Sequence, residues 1–407
     1  MDRRQFIYNA AVLSTGTSMT SLNSTWPSAP NNLQPRSITM WDFSWLERRW
    51  PGSGYEDWDR VLDELANRGY NAIRIDAYPH LVGPEAEREY TLVPVWSVQL
   101  WGSPEKITVQ VQPALNTFLR KCKERDIKVG LSSWYREDTT QARMLIRGPE
   151  DMAQNWIKTL RSIADDDLLD VILYVDLCNE WPGDLWCPFF KNDPPDKTWG
   201  YWHTPTSLTY MRTAISQVRQ AFPELPYCFS FTGGQPALYA QTDLSFFDLL
   251  EHHTWMAQIN EGEYDKAVGY AYDRFNHDSY QRLSLNHLRV YQERKSYWQK
   301  LLLDEIDLVA ASARAAQLPL ITTECWGIVD FKDWEGLDWS IIKELGELAV
   351  QRVCQTGQWL AVATSNFAGP QFAGMWQDVA YHRRLTKMIR GATIHPALQA
   401  GKLAKHL

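Results

Sequence analysis

"LYVDLCNEWPG", residues Leu173 to Gly183, changes character halfway along. Its first half is a near-continuous apolar run, the pattern of a parallel strand buried on both faces. Its second half passes at once to Asn179, Glu180, Trp181, Pro182 and Gly183. In a barrel of eight βα units the reacting residues stand at the C-terminal ends of the strands, so the fold hangs on whether this run is one strand of such a set.

Upstream, "SITMWDFSW" is followed by "YEDWDRVLDELANRGY", whose Trp58, Val61, Leu62 and Leu65 recur at helical spacing, with Gly69 placed as a C-cap. "NAIRIDAYP" and "IKVGLSSW" supply the second and third strands, each followed by a helix, "PALNTFLRKCKERD" and "QNWIKTLRSIADDD". Downstream, the helix "LTYMRTAISQVRQAF" precedes a fifth strand, "PYCFSF", and "FFDLLEHHTW" is the sixth. A long insertion and the helical "YWQKLLLDEIDLVAASARAAQ" lead to "PLITTECWG", and "ELGELAVQRVCQT" leads to the eighth strand, "QWLAVATSNFAG". Eight such units without a change in composition predict an α/β fold, a (β/α)8 TIM barrel over 37–407 with long loops at its C-terminal face. No G-x-G-x-x-G follows a strand, which removes the dinucleotide-binding open sheet.

Composition narrows the partner. A net charge of −8, with no cluster of Lys and Arg, argues against nucleic acid and favours a neutral or cationic ligand. Twenty Trp, 18 Tyr and 14 Phe supply flat faces suited to stacking on sugar rings, and core filling competes for the same residues. Six cysteines form no C-x-x-C pair and have no His at zinc spacing, so no metal or other cofactor is expected, and no disulfide pairing can be read. "MDRRQFIYNAAVLSTGTSM", with Arg3 and Arg4, resembles a twin-arginine export signal. With the Ser-, Thr-, Asn- and Pro-rich stretch after it, 1–36 reads as signal and linker, and no later run is apolar enough to span a membrane. The expectation is export to the periplasm or the exterior; oligomeric state is not legible.

The strand ends, read in order, carry Trp41 and Asp42, Arg74 and Asp76, Ser133 and Trp134, Asn179 and Glu180, Thr232, His253 and Trp255, Glu324 and Trp326, then Ser365 and Asn366. Two of them hold Glu, and a carboxyl pair is what glycosidic cleavage needs: one to protonate the leaving oxygen, one to attack or to activate water. Strands roughly 4.8 Å apart and tilted about 36° close at a radius of roughly 7.5 Å, so ends three strands apart lie about 14 Å from each other. Two side chains reaching inward by about 4 Å each leave roughly 6 Å, between the separations of retaining and inverting enzymes.

"NAIRI" with Arg74, "DLCNEWPG", "EHHTW" with His253 and "TTECWG" with Glu324 together resemble the clan A glycoside hydrolases, as a cellulase-like relative of family 5, from about Ile38 to Phe367. The resemblance implies a β-linked saccharide cleaved with retention, Glu324 as nucleophile and Glu180 as acid and then base. It further implies that Asn179 bonds the sugar 2-hydroxyl and that Arg74 keeps Glu324 ionised. Glu180 would then need a raised pKa, and Trp181 and Pro182 offer an apolar wall for it. This sequence departs from the family pattern at three places: Trp255 stands where the family's H-x-Y motif has Tyr, Trp134 ends the third strand, and the tip of the eighth lacks Trp. Trp376 on the following loop is the nearest replacement there, and Trp41, Trp134 and Trp326 are the other candidate sugar platforms. Asp42 and Asp76 are candidates either to bond sugar hydroxyls or to cap loops, and Asn366 is a candidate substrate contact. A non-catalytic carbohydrate-binding barrel and a metal-dependent barrel hydrolase are the rival readings. The excursions after strands two, four and six should shape the cleft, and the choice between open groove and closed pocket is left open.

Overall fold

The computed structural model describes residues 33–191, 201–233 and 235–407. Arg3, Arg4 and most of the expected signal and linker lie outside these residues, as does 192–200 of the loop after the fourth strand.

Eight parallel strands form the ring: β1 Arg36–Asp42, β2 Ala72–Asp76, β3 Lys128–Ser132, β4 Ile172–Asp176, β5 in two pieces (Tyr227–Cys228 and Ser230–Thr232), β6 Leu250–Trp255, β7 Leu320–Thr322 with the extension Cys325–Trp326, and β8 Trp359–Ala363. Each pairs with its neighbours in chain order, and β1 pairs with β8, Arg36 opposite Ala361 and Ile38 opposite Ala363. The break in β5 completes the ring: the first piece pairs with β4 and the second with β6. The apolar run of β4 is buried at every position, as its composition predicts.

Helices cover the outside: α1 Trp58–Asn67, α2 Ala114–Lys123, α3 Pro149–Ala164, α4 Pro205–Ala221, α5 Lys295–Ala315, α6 Ser340–Thr356 and α7 Val379–Arg390. Asp57 caps α1, accepting from the Arg60 N–H at 3.2 Å. Gly69 after it has φ +88°, and a Cβ there would collide with Thr386 Oγ1 of α7, so first and last helices touch where only glycine fits.

Several local expectations change. Between β5 and β6 the described residues form only a 3-10 turn, Pro236–Ala240, and "FFDL" before β6 is loop, with Phe247 stacked on Phe229 and Phe231. α7 lies beyond the elements that the eight-unit pattern predicts. The excursion after β2 folds into a helix, Pro79–Glu85, and an antiparallel hairpin, Glu89–Leu92 with Ile107–Gln110. The insertion after β6 holds helices Ile259–Val268 and Asp278–Glu293. All six cysteines are free thiols, five of them buried. Among the described residues no helix is long and apolar enough to cross a membrane.

Candidate active site

Glu180 leaves β4 through a left-handed turn, φ +47°, a conformation that costs a non-glycine residue of order 1 kcal/mol or more. β5 holds the turn in place: Ser230 Oγ accepts from the Glu180 N–H at 3.0 Å and Ser230 O from the Trp181 N–H at 2.9 Å. The carboxyl therefore points across the barrel mouth, where oxygens of Glu180 and Glu324 and a nitrogen of His253 all lie within 4.8 Å of one another.

Beneath the pair lies Arg74 of β2, wholly buried. Its Nη2 donates to Asp176 Oδ2 at 2.5 Å and Asn179 Oδ1 at 2.7 Å; its Nη1 donates to Glu324 Oε1 at 3.0 Å and Thr323 Oγ1 at 3.1 Å. Its Nε lies 3.6 Å from Glu251 Oε2. Ser132 and Ser230 also donate to Asp176, and Thr323 to Glu251, so each buried charge is paired and hydrogen-bonded. Asn179 Nδ2 has no partner among the described residues, leaving a buried donor for an incoming hydroxyl.

The protonation pattern is the reverse of the expected one. Burial pushes the Glu180 carboxyl up, but hydrogen bonds from His253 Nδ1 at 3.0 Å and Trp186 Nε1 at 3.2 Å outweigh it and hold the group below its usual range. Trp181 is not its wall: that ring is buried against Tyr210 and donates to Ser207. Burial raises Glu324 to about 7, and the charge of Glu180 adds to this, against His253 and Arg74. His253 is raised to about 10, because Glu324, Glu180 and Glu251 surround the ring and overcome its burial. Glu251 is lowered to about 2, burial being outweighed chiefly by Arg74 and His253. The pair thus rests with its proton favoured on Glu324 and with a charged imidazole against Glu180.

Above the pair opens a cavity of about 200 Å³. Asp42, Trp134, Glu180, Glu324 and Asn366 of the expected residues line it. Trp134 offers only part of its ring, since the Arg74 guanidinium lies 4.6 Å over it. The other expected positions lie elsewhere. Trp41 and Trp326 are core, donating to Ala368 O and Ala363 O. Trp255 is buried in register with Trp326 and does not reach the cavity. Asp76 spends its oxygens on the N–H groups of Tyr78 and Trp134. Trp376 lies on the outside of the barrel beneath Arg68 and donates to Glu64.

The lining also includes residues that a reading of strand ends misses: Trp96, Gln99 and Trp101 after β2, Trp186 after β4, Asp265, Tyr270 and Tyr272 after β6, and Asp330 after β7. Among the described residues, five carboxyl groups and no Lys, Arg or His line the cavity, in keeping with a neutral or cationic ligand. Asp176 and Glu251 carry a readable signal that the strand-end reading passes over, because an acid inside an apolar strand needs a buried cation. The loop residues carry no such signal.

Glu180, His253 and Glu324 are also the one trio among the described residues with the spacing of a metal site. Its positive charge is already supplied by Arg74 and protonated His253, so a divalent cation would meet two cations at the same oxygens.

Residues 38–390 match the model of a family described as sugar-binding, cellulase-like. A crystal structure from Parabacteroides distasonis, provisionally assigned as a glycoside hydrolase, shares 56% identity at a TM-score of 0.90, covering 92% of this chain and all of its own. The β-glycosidase BGL167 (12% identity, TM-score 0.49, 89% and 97% covered) and a Streptomyces cattleya enzyme of subfamily GH5_18 bound to GlcNAc (12%, 0.49, 91% and 88%) are far more distant. No functionally curated protein matches the chain. The ring of strands, the carboxyl pair at its mouth and the match over most of the chain place this protein in the sugar-binding cellulase-like family.

Proposed function

We propose that the protein is a retaining glycoside hydrolase of β-linked, uncharged saccharides, with Glu324 as nucleophile and Glu180 as general acid and base. One observation carries this: an oxygen of each carboxyl lies within 4.8 Å of the other across the pocket, which favours the closer pairing of retaining enzymes, roughly 5 to 5.5 Å, over the roughly 6.5 to 9.5 Å that leaves room for an attacking water.

In this reading substrate enters with its anomeric carbon above Glu324 and its glycosidic oxygen beside Glu180. The proton on the pair passes to the leaving oxygen as Glu324 bonds to carbon, and Arg74 stabilises Glu324 whenever it is anionic. For this the proton moves from Glu324 to Glu180 as substrate enters, while charged His253, 3.0 Å from Glu180, keeps its own proton and orients that carboxyl. Water, deprotonated by Glu180, then releases the sugar. Asn179 Nδ2 would bond the 2-hydroxyl, most strongly in the transition state.

The resting protonation also favours a second reading with the roles exchanged, Glu324 as acid and Glu180 as nucleophile. Labelling with a panel of 2-fluoro glycosides followed by peptide mapping decides. A label on Glu324 is expected, a label on Glu180 exchanges the roles, and no label with any active substrate removes the double displacement.

A further inference from the structure

Loops after β2 and β6 rise from strands four places apart in a ring of eight, on opposite sides of the barrel mouth. In this chain they meet. The Ser97 N–H donates to Arg274 O at 3.1 Å, and Arg274 Nε donates to Val95 O at 2.6 Å. The loop after β7 joins the same segment, with Gln99 donating to Asp330 and Lys332 to the Val98 carbonyl. The hairpin Glu89–Leu92 with Ile107–Gln110 anchors both ends of this strap. Val95, Trp96 and Val98 of the strap are themselves buried, so it is packed and not draped over solvent. Trp96 stands edge-on to Trp186, 5.9 Å between centroids, and Trp186 Nε1 is the donor to Glu180.

We infer that this strap roofs the carboxyl pair, so that the enzyme takes short saccharides or the free end of a chain and does not cut within an unbroken polymer. The inference rests on the hydrolase reading above. A groove for internal cleavage needs both ends open, because a long chain must lie across it. A main-chain and side-chain bridge from one rim to the other admits only what can be inserted end first. The pocket's specificity would then lie in the strap and its partners, Gln99, Arg274, Asp330 and Lys332, rather than in the strand ends.

The test uses the full chain with soluble β-glucan, β-mannan and β-xylan, the matching hexasaccharides tagged at the reducing end, and aryl β-glycosides of the same sugars. The expected result is sugar release from chain ends, one product size from each tagged hexasaccharide, and polymer viscosity that stays high while reducing ends accumulate. Rapid loss of viscosity with few bonds cut overturns the roof and leaves the hydrolase reading standing. Failure to cleave any member removes the hydrolase reading and this inference with it. The variant Q99A/R274A, which loosens both sides of the bridge, should add internal products several-fold; an unchanged product pattern from a folded variant, judged by circular dichroism, assigns end selection elsewhere and overturns the role of the strap.

Discussion

The floor and the roof of the pocket are built in opposite ways. The floor is made of strand residues: Arg74, Asp176, Glu251 and His253 lie on β2, β4 and β6, wholly buried, with every charge held by a neighbour. The roof is made of loops whose contacts are few, partly exposed and drawn from distant parts of the chain. A charge removed from the floor leaves its partners buried and unpaired, whereas a contact removed from the roof can be replaced by water. Floor changes should therefore cost stability and rate, and roof changes should alter what is cut.

The largest effect falls on the reacting carboxyls. Glu324→Gln should lower kcat by about 10⁴-fold or more and Glu180→Gln by roughly 10²- to 10⁴-fold, the latter less with aryl leaving groups that need no proton. Full activity in both variants, in steady-state assays, sinks the assignment. Next comes Arg74→Met, which strands Asp176 and Glu251 and should cost about 3 to 5 kcal/mol in urea unfolding. A loss under about 1 kcal/mol would show that the floor is not held by this charge.

The floor also sets two pH limits. His253 is raised to about 10, so its contribution to stability is complete below pH 6.5 and is lost as pH rises through about 10. Glu251 is lowered to about 2, so its contribution is complete above pH 4.5 and is lost as pH falls toward 2. Thermal melting of His253→Gln across pH 6 to 10 should have a flatter alkaline slope than the parent, and Glu251→Gln a flatter acid slope between pH 5 and 2. Parallel curves would break the link. The smallest effect on stability belongs to the roof: Arg274→Ala should change unfolding by no more than about 1 kcal/mol while shifting the product pattern. A global loss of several kcal/mol would make the strap part of the core and blur the contrast.

Much of the floor is legible in the amino-acid sequence. The strand order, the parallel ring and the placement of Glu180, Glu324, Arg74, Asn179 and His253 follow from apolar runs that end in polar residues, because strand burial and strand ends are local properties of the chain. Asp76 and Trp376 show the limit: one ends β2 and the other follows β8 on its loop, yet the first caps backbone N–H groups and the second covers an outer helix. Residue type and position along the chain do not say which way a loop turns.

Local sequence pattern is enough to mark eight strand-and-helix units and to place Glu180 and Glu324 at the ends of two of the strands, since strands and helices are specified by near neighbours. Which donor meets which carboxyl is set instead by packing between distant parts of the chain. His253 reaches Glu180 because a left-handed turn held by Ser230 of the next strand carries that carboxyl toward β6, and burial then pushes the Glu324 carboxyl up. The same holds for the strap. Ser97 and Arg274 are separated in sequence by four of the eight strands, and their meeting depends on the paths of two long loops that no local pattern encodes.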